Sequence, residues 1–187
     1  AVPLFVDGQP VTHAVSTLVA EGVHAVSAGP VLGYTVTFGG ACAADGSVVL
    51  TSGSPAACLV MLDDIAPQLT LDLVTNYTHG GTAPESSWTM TASGPTPLAG
   101  PGAAGAADVT SGPTFSAGTY TLSQSAAPAG YVNGTFSCAV NGGAAAPTAA
   151  VTLAPGDVGA CTVTNTDANL TFGTTTTLGA LASPQIG

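Results

Sequence analysis

Four cysteines are the residues whose spacing most directly predicts chemistry in this chain. They fall as two pairs, Cys42 with Cys58 and Cys138 with Cys161, at matching places in two similar stretches. An even number at repeated positions favours two disulfides, with free buried thiols as the alternative. Disulfides persist in oxidising compartments, so the pairs predict an extracellular protein. Each closed loop would stabilise the fold by about 3 kcal/mol, because it restricts the unfolded chain.

The other reactive side chains do not form a catalytic pattern. The histidines are His13, His24 and His79. They are scattered, and the sequence has no H-x-x-x-H, C-x-x-C or G-x-S-x-G motif. Residues 100–105 match G-x-G-x-x-G, but a dinucleotide site needs that motif at a strand-to-helix turn, and no helical pattern follows. Asp63 and Asp64 could bind Ca²⁺ with neighbouring carbonyls, or could be a solvated turn pair. We predict no catalytic residue, no metal site and no cofactor.

The charge composition excludes several classes of partner. The 187 residues include 10 acidic residues and no Lys or Arg, which gives a net charge of −10. Nucleic-acid binding depends on Lys and Arg at the phosphates, and anionic membranes also attract basic segments. We therefore predict neither partner. The chain also offers no cleavage site to trypsin-like proteases.

Hydropathy argues against both disorder and a membrane span. Disordered chains have low hydrophobicity, whereas the mean hydropathy here is +0.47. No apolar run approaches the ~18 residues of a spanning helix. The chain lacks an initiating Met and a signal-peptide pattern, which is consistent with a processed N-terminus at Ala1.

Short alternating and β-branched runs between turn residues predict an all-β protein with two tandem immunoglobulin-like sandwich modules. The predicted organisation is a first module at 1–64, a joint at 65–67, a second module at 68–167 and a tail at 168–187. In the first module the predicted strands are 4–6, 15–19, 23–26, 34–38, 47–50 and 57–62. In the second they are 69–77, 88–92, 109–110, 119–123, 131–138, 149–153 and 160–165. The segment 94–107, rich in Pro, Gly and Ala, is predicted to be a loop found only in the second module.

The two modules can be aligned along most of their length. Residues 22–27 match 118–123, Gly33-Tyr34 matches Gly130-Tyr131, and 48–50 match 151–153. Residues 4–6 are expected to correspond to 88–90. Nothing in the first module matches strand 69–77, whereas the C-terminal tail does. The first module is therefore predicted to lack its opening strand.

These stretches resemble bacterial surface proteins built of SpaA-like, prealbumin-like domains. The resemblance rests on LTLDLVTNYTHGGTA (69–83), SWTMTASGPT (87–96), AGTYTLSQSAAPAGY (117–131) and VTLAPGDVGACTVTNTD (151–167), with YTVTFGGACAADGSVVL (34–50) and CLVMLDDIAP (58–67) in the first module. It implies a seven-stranded β-sandwich used as a stalk or fibre module on cell surfaces.

The resemblance also implies positions for a Lys–Asn isopeptide bond assisted by an acidic residue. Asn165 matches the asparagine position, but Leu73 stands at the lysine position and Gln124 at the acid position. In the first module Leu62 stands at the asparagine position, and the acid position falls near Ala28. Neither module is expected to form the bond.

Three N-x-[ST] triplets are candidate N-glycosylation sites, at Asn76, Asn133 and Asn169. Such triplets also arise by chance in a Thr-rich chain. Glycans attached at these positions are therefore one possibility. Surface glycans are separately a possible binding partner.

The tail carries the principal functional prediction. Asn169, Leu170, Thr171 and Phe172 echo residues 68–71, and each segment follows a Cys-containing strand. A sheet edge without a partner invites strand addition, which chaperone–pilin systems use as donor-strand complementation. The predicted donor strand comprises Asn169, Leu170, Thr171, Phe172, Thr174, Thr176 and Leu178.

We predict a filament subunit that polymerises head to tail with copies of itself, at the cell surface or outside the cell. The tail could instead be a flexible linker, could fold back on its own chain, or could be the next module's own strand in a longer tandem array. The alternative function is a stalk or adhesin repeat that binds a ligand.

Overall fold

The structure, a computed structural model, describes residues 2–105 and 107–168. Across these residues the chain forms β-strands and a single 3-10 turn at Glu85–Ser87. The strands are β1 Leu4–Val6, β2 Gln9–Val11, β3 Gly22–Ala28, β4 Tyr34–Gly40, β5 Ser47–Leu50, β6 Cys58–Asp64, β7 Gln68–Asn76, β8 Thr89–Ser93, β9 Leu98–Pro101, β10 Val109–Thr110, β11 Gly118–Gln124, β12 Tyr131–Val132, β13 Phe136–Val140, β14 Ala146–Pro147, β15 Ala150–Leu153 and β16 Val158–Asp167. The all-β prediction is confirmed.

The N-terminal part, residues 2–64, forms two small antiparallel sheets. One has the strand order β2-β1-β3-β5, and the other is the pair β4-β6. The hairpin from β1 to β2 turns at Asp7 and Gly8, both of which have positive φ. Glycine adopts such angles without steric cost, which suits a tight hairpin turn.

The C-terminal part, residues 68–168, forms two larger sheets. One follows the order β10-β7-β16-β13-β14, with β12 also paired to β16, and the other follows β15-β11-β8-β9. Strands β7 and β16 run parallel over nine residue pairs, from Gln68↔Val158 to Asn76↔Thr166. This is the one parallel ladder among the described strands. The part contains ten short strands, where the resemblance implied seven.

The hydrophobic core lies between the two sheets of the C-terminal part. Strand β7 places Leu69, Leu71 and Leu73 on one face, and all three are fully buried. Successive strand residues point to opposite faces, which is why the buried residues alternate. The facing sheet contributes Met90 and Tyr120, also fully buried. The N-terminal part has a much smaller interior, with Cys42 and Val48 as its buried apolar residues.

Matched sequence positions in the two parts also match in strand register. Gly22, with φ of 137°, pairs with Leu50, and Gly118, with φ of 151°, pairs with Leu153. Each glycine opens a strand with a backbone angle that other residues rarely adopt. Strands β3 and β11 therefore begin with the same kind of backbone conformation.

The joint between the two parts is hydrogen-bonded on both sides. The Ile65 N–H donates to the Gly33 carbonyl at 2.8 Å, and the Gly156 N–H donates to the Ile65 carbonyl at 2.7 Å. Gly33 lies so close to the Pro155 backbone that a Cβ at this position would collide with it. Ala168 repeats the first contact, because its N–H donates to the Gly130 carbonyl at 2.7 Å.

Two sequence predictions about loops and strands are wrong. Residues 15–19 do not form a strand, and Leu18 is almost fully exposed, because this β-favouring run finds no neighbouring strand to pair with. The segment 94–107 is not only a loop, since β9 lies inside it and pairs with β8. Pro101 ends β9 at the sheet edge, where a missing N–H is tolerated. The N-terminal counterpart of β9 is β2, so the feature is not confined to one part.

Two further details of the strand prediction are corrected by register. The predicted strand 131–138 divides into β12 and β13, because residues 133–135 lie opposite only 164–165 and this extra residue interrupts the pairing with β16 as a bulge does. Val6 pairs with Val26 as Ala92 pairs with Leu122. Residues 4–6 therefore correspond to 90–92 rather than 88–90. The shift is two residues, which keeps the same side chains facing inward. The prediction also missed β14.

The burial pattern of β7 gives a stability prediction. Replacing Leu71 by Ala should lower the free energy of unfolding by about 2–5 kcal/mol, because it removes a fully buried side chain and leaves a cavity. The matched control on the same strand is Val74→Ala, whose side chain is 40% exposed, and it should change stability by about 0.5 kcal/mol or less. Urea denaturation measures both. Equal losses would contradict the observed face of β7.

Candidate functional site

The free edge of β6 is the feature that most distinguishes the two parts of the chain. Strand β6 pairs with β4 from Tyr34↔Asp64 to Gly40↔Cys58, and with no other described strand. Strand β16 holds the equivalent place in the C-terminal part, where it pairs with β13 on one edge and β7 on the other. Within the described part of the chain, this second, free edge of β6 therefore presents unpaired backbone N–H and C=O groups, which can accept another strand.

Exposed apolar side chains surround this edge. Leu59, Met61 and Leu62 on β6 are each between 42% and 56% exposed, although they lie on both faces of the strand. The equivalent strand β16 buries its inward residues, and Val163 is fully covered. Further exposed apolar residues of the N-terminal part are Val15, Leu18, Val19, Val23, Leu32, Val49 and Ile65. The three exposed side chains of β6 are neighbours on one strand, and exposed apolar surface of this kind is typical of an interaction site.

Strand β7 shows what an added strand contributes to such an edge. Its leucines 69, 71 and 73 cover the inward face of β16, in register with Gly159, Cys161 and Val163. On its other side, the Leu69 N–H donates to Ser111 Oγ and the Leu73 N–H to Asp108 Oδ2, both at 2.9 Å. The strand thus provides both apolar cover and backbone pairing.

Asp167, at the end of β16, binds the turn that follows β7. Its carboxylate accepts N–H groups from Thr78 at 2.7 Å, His79 at 2.6 Å and Gly81 at 2.8 Å, and the Thr78 hydroxyl at 3.1 Å. Burial of Asp167 raises its pKa, but these donated hydrogen bonds outweigh burial and hold the pKa well below its usual range. Gly81 also packs so closely on Asp167 and Tyr131 that no Cβ fits.

Sequence reasoning did not identify Asp167 as a functional residue. A single aspartate after a strand resembles any solvated turn residue. The available signal was repetition in the sequence, because Asp64 follows Cys58 by the same interval as Asp167 follows Cys161, and each aspartate ends its strand.

The residues at the isopeptide positions form a hydrogen-bonded amide pair instead of a covalent bond. Asn165 is fully buried, and its Nδ2 donates to Gln124 Oε1 at 2.8 Å. The Gly134 N–H donates to Asn165 Oδ1 at 2.8 Å, and Gln124 Nε2 donates to the Gly134 carbonyl at 3.1 Å. Leu73 is fully buried on the adjacent strand. Neutral hydrogen bonds therefore satisfy these buried amides.

The structure joins the four cysteines in the two predicted pairs. Cys42 and Cys58 have Cα atoms 5.0 Å apart, and Cys138 and Cys161 have Cα atoms 4.1 Å apart. Cys138 lies directly opposite Cys161 in the ladder between β13 and β16. Each disulfide therefore joins the last strand of its part, β6 or β16, to an earlier segment of the same part.

The glycosylation candidates have different surroundings. Asn76 is exposed at the end of β7. Asn133 is half-buried, with Oδ1 accepting from Trp88 Nε1 and Nδ2 donating to the Ser125 carbonyl, both at 2.8 Å. Its amide thus already has two partners. Asn169 and the rest of the predicted donor strand, through Leu178, lie outside the described residues.

The histidines do not form a common site. His24 Nδ1 lies 2.7 Å from Asp7 Oδ2 and its Nε2 lies 2.8 Å from the Ala20 carbonyl, and the contact with Asp7 raises the pKa of His24. His79 belongs to the turn held by Asp167. Within residues 2–105 and 107–168, no three His, Cys, Asp or Glu side chains are grouped as metal ligands. The same residues contain no helix of the length and apolarity needed to cross a membrane.

More than half of the chain matches a known protein family. A family of the SpaA type, described as a prealbumin-like fold domain, matches residues 64–163. A search of curated protein sequences finds no match.

Two similar solved structures are pilins of Streptococcus pyogenes. The major pilin protein T3.2 of serotype GAS13637 is 12% identical, with a TM-score of 0.45 over 78% of this chain and 66% of that chain. The chain thus spans slightly less than two thirds of that pilin. A second structure of a major pilin is 11% identical, with a TM-score of 0.42 over 86% of this chain and 75% of that one.

The contacts of Asp167 predict an acid-sensitive contribution to stability. A carboxyl whose pKa is lowered by folding stabilises the fold above its unfolded pKa of about 3.9, and this contribution is lost as pH falls toward the folded value. Between pH 5 and pH 2 the wild type should lose more stability than Asp167→Asn, which should already be less stable at pH 5. Urea midpoints across this range measure the difference. Asp63→Asn, at an exposed position, should follow the wild type, and an equal acid slope in Asp167→Asn would contradict the assignment.

Proposed function

Because the chain belongs to the SpaA-like family of prealbumin-like fold domains, we propose that it is a structural, non-enzymatic subunit of an extracellular filament. The observation that carries this proposal is the free edge of β6, with exposed apolar side chains on either side of it. A neighbouring subunit would complete that edge with its C-terminal strand.

In this proposal the chain has two modules, and the opening strand of the first module comes from the C-terminal segment of another subunit. The first module is 1–64, the joint is 65–67, the second module is 68–167, and the donor segment is 168–187. The first module lacks the opening strand that β7 supplies to the second. The matched strand registers and the matched disulfides of the two parts support this division.

The sequence of the tail fits the role of donor. Leu170, Phe172 and Thr174 repeat the alternate positions that Leu69, Leu71 and Leu73 occupy in β7. Side chains at alternate positions of a strand face the same side, so the three would together enter a proposed apolar groove beside β6, in the interior of the first module. About nine residues of extended strand span roughly 30 Å, which matches the length of the β7 ladder.

The ladder between β7 and β16 defines the register expected between subunits. Cys161 faces Leu71, Thr162 faces Asp72 and Thr164 faces Val74. In the alignment of the two modules, Cys58 corresponds to Cys161 and Phe172 corresponds to Leu71. The proposal therefore places Phe172 opposite Cys58, Gly173 opposite Leu59 and Thr175 opposite Met61, in a parallel pair.

Head-to-tail strand exchange produces a filament because the contact is heterologous. Such a contact joins different surfaces of identical subunits, so it propagates unless the rotation closes a ring. The two disulfides suit an oxidising exterior.

The alternative is a stalk or adhesin repeat within a larger surface protein. In that case the tail would be the opening strand of the next module in the same chain. The two functions differ in whether separate chains exchange strands, which the following experiments measure.

A single tail substitution should abolish filaments. Phe172→Asp places a charge in the proposed apolar groove, whereas Thr171→Asp places the same charge on the opposite face of the strand. We expect no filaments with Phe172→Asp or with deletion of 169–187, and normal filaments with Thr171→Asp, by negative-stain electron microscopy and light scattering. Normal filaments after deletion of the tail would refute strand donation.

Cysteine cross-linking between separate chains tests the register. A Leu59→Cys chain is mixed with a Gly173→Cys chain under mild oxidation and analysed on a non-reducing gel. We expect a covalent dimer from this mixture and little from Leu59→Cys with Thr174→Cys, because Thr174 faces the other side of the strand. Each single variant alone is the control for disulfide exchange. Equal yields from both mixtures would contradict strand exchange between subunits. So would a chain that carries both Leu59→Cys and Gly173→Cys and forms the cross-link only within itself.

A further inference from the structure

The turn after β7 is fastened to the end of β16 by a carboxylate. Asp167 faces Tyr131 in the ladder between β12 and β16, and it holds the backbone N–H groups of Thr78 and His79 at 2.7 and 2.6 Å. These are hydrogen bonds to an ionised acceptor, which are shorter and stronger than neutral ones. The contact fixes where the strand ends as well as where it lies.

The N-terminal part repeats this arrangement, but no turn among the described residues is bound to its aspartate. Asp64 faces Tyr34 in the ladder between β4 and β6, as Asp167 faces Tyr131. Gly33 and Gly130, with φ of 78° and 86°, precede the two tyrosines. Asp64 is exposed, whereas Asp167 is 5% exposed. Across residues 2–105 and 107–168, no hydrogen bond reaches the Asp64 carboxylate.

We propose that Asp64 is a docking site for the backbone of the neighbouring subunit's tail, just beyond its donor strand. This inference rests on the proposed strand exchange. In the proposed register, Gly179 and Ala180 of the tail correspond to Thr78 and His79 after β7. The Asp64 carboxylate would therefore accept the N–H groups of Gly179 and Ala180. The partner is a second copy of this chain, and the ligand is a pair of consecutive backbone amides.

Only two of the contacts made by Asp167 carry over to Asp64. Gly179 has no hydroxyl, so the contact from Thr78 Oγ1 has no counterpart. Ala182 stands where Gly81 does, and a Cβ at Gly81 would collide with the Tyr131 hydroxyl and Asp167. Pro184 stands at the place of Ala83, whose N–H binds the Tyr131 hydroxyl, and proline has no N–H to donate.

The site would define the register of the donor strand. Moving a strand by two residues keeps the same side chains facing inward, so the groove discriminates weakly against such a slip. The tail is poor in distinctive side chains here, because residues 174–177 are all threonine. A carboxylate at one fixed point on β6 accepts the amides only when the strand has advanced the correct distance. Asp64 would thus be a positioning residue for assembly.

Dissociation of preformed filaments of the full chain tests the role of Asp64. Filaments of Asp64→Ala and Asp64→Asn are diluted, and their loss is followed by light scattering. Removing an ionised hydrogen-bond acceptor at an interface should raise the dissociation rate about ten- to a hundred-fold. Asp63→Ala, which removes the neighbouring carboxylate, should dissociate like the wild type. Circular dichroism of the subunits confirms that each variant is folded.

A variant in the tail tests the same contact from the other side. Gly179→Pro removes one of the two N–H groups without changing the N-terminal part, and Ser183→Pro is its control beyond the proposed contact. We expect Gly179→Pro to accelerate dissociation as Asp64→Ala does. The double variant Asp64→Ala/Gly179→Pro should be no faster than the faster single variant, because both remove one interaction.

The outcomes separate this inference from the proposed function. If deletion of 169–187 abolishes filaments but Asp64→Ala dissociates like Asp63→Ala, strand exchange stands and the role of Asp64 is refuted. Additive effects of Asp64→Ala and Gly179→Pro would also refute it. If Asp64→Ala changes dissociation only when Ca²⁺ is present, the carboxylate acts through a cation and the amide contact is wrong.

Discussion

The parallel ladder between β7 and β16 is the interaction on which the rest of the C-terminal part depends. It places three fully buried leucines of β7 beside β16, and its register fixes where the ends of the two strands lie relative to each other. The turn held by Asp167, the disulfide at Cys161 and the amide pair at Asn165 all attach to this same strand. Strand β6 has the equivalent position and disulfide but no such neighbour among the described residues, and its side chains are correspondingly exposed.

The chain stabilises its carboxylates without any Lys or Arg. Asp7 accepts the Ala25 N–H and contacts His24, while Asp45 is bound by both the hydroxyl and the N–H of Ser47. Backbone and side-chain donors of this kind lower the pKa of a carboxyl as a cation would. The fold fixes these donors, so local backbone geometry holds Asp7 and Asp45 in place, with His24 as a further partner of Asp7.

Local sequence patterns predicted the central strands, because alternation acts within a few residues, and the repeated placement of the four cysteines predicted the disulfide pairs. They failed where a neighbouring strand decides whether a segment becomes a strand. Residues 15–19 have β-favouring side chains but no strand beside them, and β9 has little apolar pattern yet pairs with β8. Asp167 was missed for a similar reason, since its role depends on a turn 86 to 89 positions away in the chain.

The direction of β7 relative to β16 has a mechanical consequence. The chain enters the C-terminal part at Gln68, beside Val158, and leaves it after Asp167, just beyond the pair of Asn76 with Thr166. Tension applied through the two ends would therefore pull the parallel strands lengthwise past each other. In that geometry the hydrogen bonds of the ladder share the load at once, instead of opening one at a time from an end. The same topology that covers the core also resists extension along the axis of the chain.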